Sequence, residues 1–232
     1  KDLARAATYI IRLVFSQCWL LTAVTGCMHA LAISSCGLRL DDEAVRVAVG
    51  LRLGAKLCEP HQCSCGAKVD PEGTHGLACK RSAGRITRHH ALNDLVWRAL
   101  GRAKVPAVKE PVGLMRSDGK RPDGLTQIPW QAGKCMTWDV TVTDTLAESY
   151  LPATSSSGGS AAEGAANRKE LKYQALARTH TFIPLAFETF GPINSKGVSF
   201  FKSARSMANS QHWRLARNCC FISALVSNNS SF

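Results

Sequence analysis

Residues 134–144 read KCMTWDVTVTD, and their two-residue period decides the class of the fold. Met136, Trp138, Val140 and Val142 alternate with Thr137, Asp139, Thr141 and Thr143, giving one strand an apolar and a polar face. On the N-terminal side, VKEPVGLM and RPDGLTQI flank Ser117-Asp118-Gly119-Lys120, an Asp-Gly between strand-like runs that predicts a hairpin. A turn near Pro129 to Gly133 then leads into the central strand. Earlier still, residues 82–104 place Leu92, Leu95, Val96, Ala99, Leu100 and Ala103 on one helical face, with arginines opposite and Pro106 as the stop. On the C-terminal side, residues 151–166, LPATSSSGGSAAEGAA, are low in complexity and predict a mobile loop. Asn167, with Glu170 three residues on, resembles a capping box opening the helix NRKELKYQALAR. TFIPLAFETF, residues 181–190, predicts a strand covered on both faces, with Pro184 opposing a fully paired position. Helical segments around 197–208 and 211–226 follow. From residue 82 the order is helix, three strands, helix, strand, helix: an α/β core.

The composition bounds the partners. Of 232 residues, 45% are hydrophobic and 20% charged, which disfavours a disordered tail, and a chain of this length needs no disulfides to hold a core. The net charge of +12 implies a polyanion, most simply nucleic acid, with an acidic membrane surface as the second choice. Residues 56–134 carry 14 basic and 7 acidic groups. Between Lys80 and Lys109, the bases Lys80, Arg81, Arg85, Arg88, Arg98, Arg102, Lys104 and Lys109 face one acid, Asp94. Such a surface suits phosphates, although any one of these residues could equally belong to a solvated helix face.

Ahead of this region, DDEAVRVAVGLRLG reads as a short amphipathic helix with Val45, Ala48, Val49 and Arg52 at helical spacing. Residues 13–38 carry no formal charge and read as a buried helix, a membrane span being the alternative. The chain starts at Lys1 without a methionine, as a fragment of a longer reading frame would.

Four of the ten cysteines lie within residues 58–79. CSCGAKVDPEGTHGLAC places Cys63, Cys65, His75 and Cys79 at the spacing CxCx9Hx3C, and three thiolates with one imidazole suit a structural tetrahedral zinc. CxC is tighter than the commoner CxxC, so Cys58 or His61 could replace one ligand; free thiols on a glycine-rich loop are the alternative. The placement of the cysteines fits a reducing compartment, nuclear or cytoplasmic, better than a disulfide framework.

Asp123 of RPDG and Asp139 of WDVT lie on consecutive strands, so pairing of those strands would bring both carboxylates to one face. Two close carboxylates repel unless a cation sits between them, which makes them a natural Mg²⁺ or Mn²⁺ site able to activate water and stabilise charge on a phosphodiester. A solvated or N–H-bonded pair is the alternative. Glu110 and Glu188, each a charge within an apolar strand, need a cation, a donor or a metal.

The Pro-Asp pair, the acid on the following strand and the element order resemble the PD-(D/E)XK restriction-like nuclease fold. More narrowly, a CCHC knuckle upstream of RPD, then 15 residues and Asp139, resembles the endonuclease at the C-terminal end of site-specific non-LTR retrotransposon proteins. The resemblance covers residues 58 to 190. It implies metal-dependent cleavage of target DNA to prime reverse transcription, with Asp123 and Asp139 as metal ligands, DNA as partner and element RNA reached through the parent polyprotein. No membrane and no small-molecule cofactor are expected as partners. The motif's lysine would fall at Thr141; in relatives it can come from the next helix, where Lys172 is preferred over Lys169. Arg81, Arg85, Arg88, Lys120 and Arg121 are the expected phosphate contacts. The absent strand lysine leaves a decayed, zinc-dependent binding module as the alternative. The expected parts are a helical remnant over 1–55, the knuckle over 56–81, the nuclease-like domain over 82–210 and a helical tail over 211–232.

Overall fold

The computed structural model describes residues 42–209. The expectations for residues 13–38 and for a helix over 211–226 lie outside them. Among the described residues no helix is long and apolar enough to cross a membrane.

The architecture is mixed α/β, built on a four-stranded mixed sheet of order β3-β4-β5-β6. The strands are β3 (Ala107–Lys109), β4 (Gly124–Gln131), β5 (Lys134–Thr143) and β6 (Thr181–Glu188). A smaller hairpin upstream consists of β1 (His61–Gln62) and β2 (Lys68–Val69). The helices are α1 (Asp42–Leu53), α2 (His75–Ala78), α3 (Ala83–Arg102), α4 (Leu151–Thr154), α5 (Ser160–Lys172) and α6 (Ser195–Asn209). β5 pairs antiparallel with β4 and parallel with β6, Asp139 standing opposite Pro184.

Alternation along β5 fixes the layers. Its apolar side, Met136, Trp138 and Val140, packs with Leu185 and Phe187 of β6, with Leu92, Val96 and Leu100 of α3, and with Phe200 and Ala204 of α6. On the other side, Ala162, Ala165 and Ala166 of α5 close against Ala186. Both faces of β5 are therefore covered, and its polar row is buried under a helix.

That helix corrects the expectation of a mobile loop over 151–166. Gly159, at φ +91°, turns the chain into α5, and an alanine run with high helix propensity continues it. Asn167 lies inside the helix and does not cap it. The cap comes from β6: the buried Glu188 Oε1 accepts the Ala161 and Ala162 amides at 3.0 and 3.2 Å. The donors required for an acid in this strand are thus the N-terminal amides of α5.

Two further readings change, and the opposition of Pro184 to a fully paired position holds. Ser117 to Lys120 forms a turn inside the longer connection 110–123, whereas the tight hairpin joins β4 to β5 through Ala132 and Gly133, at φ +48° and +72°. Pro184 sits on an edge strand, with its nitrogen on the outer side. There the Asn194 side chain accepts the Ala186 N–H at 2.9 Å and donates to the Pro184 carbonyl at 3.1 Å, closing the edge. In α1 the buried face is Ala44, Val47 and Leu51, because Leu77 and Phe190 cover that side; Val45 and Val49 face outward.

Candidate functional site

Two sites emerge, joined by α3. In the first, the β1–β2 hairpin carries Cys63 and Cys65, while α2 brings His75 and its following turn brings Cys79. Cys63 Sγ stands 3.7 Å from Cys79 Sγ, Cys65 Sγ stands 3.2 Å from His75 Nε2, and all four ligand atoms lie within 4.8 Å of one another. Two thiolates bound at about 2.3 Å to a tetrahedral zinc stand about 3.8 Å apart. The cluster therefore has the chemistry and spacing to hold zinc with four protein ligands. The Cys63 thiol is lowered to about 6, chiefly by the Cys65 backbone N–H, which favours the ligating thiolate. Cys58 and His61 stand apart: the Cys58 thiol is directed at the Asp70 carbonyl at 3.4 Å, and His61 Nδ1 lies against the Glu59 carbonyl at 2.9 Å. Among the described residues, this is the one group of three or more His, Cys, Asp or Glu side chains with such spacing.

The second site gathers at the start of β4, between α3 and α5. Asp123 immediately precedes β4; its N–H bonds to the Trp138 carbonyl, which brings it beside Asp139. Asp123 Oδ2 accepts the Val140 N–H at 2.6 Å and lies 3.1 Å from His89 Nε2 of α3. The His89 imidazole is held above its ordinary value by its hydrogen bond to Asp123, against the opposing effect of burial. Asp139 is buried at 4% exposure, and Lys169 Nζ of α5 meets its Oδ2 at 2.5 Å. Burial first and the negative charge of Asp123 second push the Asp139 carboxyl up, while Lys169 pulls it back. The two carboxylates are thus electrostatically coupled, and an ammonium already balances one of them.

The preferred lysine, Lys172, lies elsewhere. Its Nζ is 4.6 Å from the Tyr173 ring centroid and donates to the Tyr173 hydroxyl at 3.2 Å. Tyr173 is 1% exposed and donates to the Arg121 carbonyl at 2.9 Å. Arg116 stacks on the same ring at 5.6 Å and also bonds the Lys172 carbonyl. The strand position of the missing lysine, Thr141, carries a buried hydroxyl without a hydrogen-bond partner, as does Thr137 on the same strand face.

Of the expected phosphate contacts, Arg81, Arg85 and Lys120 are exposed. Arg121 is half-buried and ion-pairs with Glu110, which accounts for that acid. Glu188 lies opposite Thr143, four register positions from Asp139, and serves as the helix cap described above. Arg88 is corrected: at 4% exposure it is closed to a phosphate, and its Nη2 donates to the Leu77 carbonyl of α2 at 2.7 Å. It anchors the knuckle to α3.

The contacts of His89 and Asn93 were not legible in sequence. Asn93 accepts the Trp138 indole N–H at 2.8 Å and donates to the Asp123 carbonyl at 3.4 Å, holding strand and carboxylate together. The available signal was spacing: His89 and Asn93 are one turn apart on the edge of the apolar face of α3. No protein-family model matches the sequence, and no curated protein is significantly similar to it.

Proposed function

We propose that the chain is a metal-dependent DNA endonuclease domain of a retrotransposon-type protein, with the α/β core serving as a PD-(D/E)XK-like nuclease and the Cys/His cluster as a structural zinc knuckle. The observation that carries this reading is that Asp123, bonded through its N–H to the Trp138 carbonyl, is held next to Asp139, whose Oδ2 meets Lys169 Nζ at 2.5 Å, beside the basic residues Arg116, Lys120 and Lys172. In this reading Asp123 and Asp139 hold Mg²⁺ or Mn²⁺. The bound ion supplies Lewis-acid charge at the phosphodiester and a more acidic water. His89 and the Val140 N–H both occupy Oδ2 of Asp123, so the ion would be held through its other oxygen. Lys169 steadies Asp139 and offers an ammonium to the charge that develops on the phosphate. Arg85, one turn before His89 on α3, and Lys120 across the site bind backbone phosphates without reading sequence.

Supercoiled plasmid incubated with Mg²⁺ or Mn²⁺ tests the assignment. Wild-type chain is expected to nick it, and Asp123→Asn or Asp139→Asn to reduce the rate at least about a hundredfold. Equal nicking by the Asp139→Asn protein would sink the reading.

A second reading, a binding module that has lost cleavage, is favoured by Thr141 and by the absence of a third carboxylate at the pair among the described residues. It predicts salt-sensitive DNA binding without nicking in any divalent cation.

A further inference from the structure

The connection between β3 and β4 is a loop built on the carboxylate site. Its first residue, Glu110, donates its N–H to the carbonyl of Asp123, its last residue, at 2.9 Å. The loop therefore leaves and rejoins the sheet at Asp123. Its far half is braced: Arg116 N–H bonds the Lys120 carbonyl at 2.9 Å, the Asp118 carboxylate accepts the Lys120 N–H at 3.1 Å, and Arg116 and Arg121 are tied to α5 through Lys172 and Tyr173. On this braced loop Val112 is 77% and Met115 56% exposed, while the neighbouring Pro111 is buried. Val112 lies two residues from Glu110, so its Cα is within about 7 Å of the Glu110 Cα at the loop base. The surroundings are cationic. The loop, residues 110–123, carries three basic and three acidic side chains, with Arg121 paired to Glu110, and the cationic excess comes from the facing 168–172, which carry three basic and one acidic.

We propose that Val112 and Met115 form a wedge that enters the DNA minor groove and opens a base step beside the phosphate presented to Asp123 and Asp139. The inference rests on the DNA-cleaving reading of that site. Apolar side chains flanked by lysine and arginine unstack base steps in this way, the cations holding the bent backbone. A phosphate-rich duplex matches the charge of the rim. A lipid surface, the other partner for apolar residues among cations, would bury the carboxylate pair against its own anionic headgroups.

The test compares two 30-bp duplexes of otherwise equal sequence, one fully paired and one with a two-nucleotide bulge, bound in Ca²⁺ so that no strand is cut. Because the bulge is already unstacked, wild-type chain is expected to bind it about tenfold or more tightly. Val112→Ser with Met115→Ser should bring the ratio near one, with binding to the paired duplex and thermal stability little changed. Val112→Leu with Met115→Leu should retain the preference. An equal preference in the serine variant overturns the wedge, and so does serine-sensitive binding to phosphatidylserine vesicles without any duplex preference. Failure to bind either duplex removes the wedge together with the reading beneath it. Bulge preference without nicking in Mg²⁺ removes the nuclease reading alone.

Discussion

Lys169 and Lys172 stand three residues apart on α5, yet only Lys169 reaches Asp139. Lys169→Met should lower nicking at least about a hundredfold with little effect on DNA affinity. Lys172→Met should act mainly on affinity. Rates and binding isotherms of the two proteins separate these effects, and an equal loss of nicking in both would refute the assignment. Glu188 permits a prediction about pH. Burial raises its carboxyl above the ordinary 4.5, against the opposing pull of its bonds to Ala162, Ala161 and Thr145. A carboxyl raised on folding holds its proton more tightly in the folded chain. Its stabilising contribution is therefore complete below the unfolded pKa and is lost as pH rises through the folded one. Thermal melts between about pH 4 and 8 should show a shallower decline for Glu188→Gln than for wild type. Glu188→Ala should cost about 2 kcal/mol, because two helix amides lose their acceptor.

At the scale of elements, α5 positions Lys169 and is the part of the fold that composition misrepresents. Serine, glycine and alanine in one run have the content of a linker. Ala161, Ala162, Ala165 and Ala166, however, recur at helical spacing, and all four are buried. The period held the information; low complexity concealed it, because side chains this small look alike in a linker and in a close helix–sheet contact. Ala165→Leu, at 3% exposure, should cost about 1–3 kcal/mol by chemical denaturation and also reduce nicking, since Lys169 lies one turn further along the displaced helix. Gly124 is constrained in the same way: a Cβ there would come within 2.0 Å of the Trp138 ring, so Gly124→Ala should destabilise by a similar about 1–3 kcal/mol and disturb the adjacent Asp123. By contrast, β5 was legible almost to its ends, because alternation of β-branched residues with apolar ones is a local signal. Its parallel pairing with β6 and the closing of that edge by Asn194 were not, since neither depends on residues near β5 in the chain. The grip of His89 on Asp123 spans 34 residues and was hidden for the same reason.

Across the whole molecule, the +12 charge and the Cys63, Cys65, His75 and Cys79 cluster were readable from sequence, but not the way that cluster and the sheet are joined. Leu77 of α2 packs with Val47 and Leu51 of α1 and with Phe190 beyond β6. Arg88 holds the Leu77 carbonyl, and Arg81 donates to the Ser64 carbonyl at 2.5 Å. Leu77 lies between the ligands His75 and Cys79, so these contacts depend on the ligand loop keeping its shape. A zinc ion held by the cluster would balance the thiolates of that loop; without one, the short β1–β2 hairpin and the Arg81–Ser64 bond are left to hold Cys63 and Cys65 against α2. Chelation should therefore expose residues 56–81 to trypsin at Lys68, Lys80 and Arg81, and loosen α1 through Leu77. The sheet core should remain, because Trp138 is 0% exposed and packs against α3 and β6 without any contribution from the knuckle. Arg88→Met should make the same segment trypsin-sensitive with zinc still bound, at a cost of about 1–3 kcal/mol, since it leaves the Leu77 carbonyl without its donor. Limited proteolysis read beside tryptophan fluorescence separates the two effects: the 56–81 segment cut early while the chain keeps the buried component of its tryptophan emission, to which Trp138 and Trp130 contribute, is the expected result. An unchanged digestion pattern after chelation would mean that the Cys/His cluster holds no structural metal.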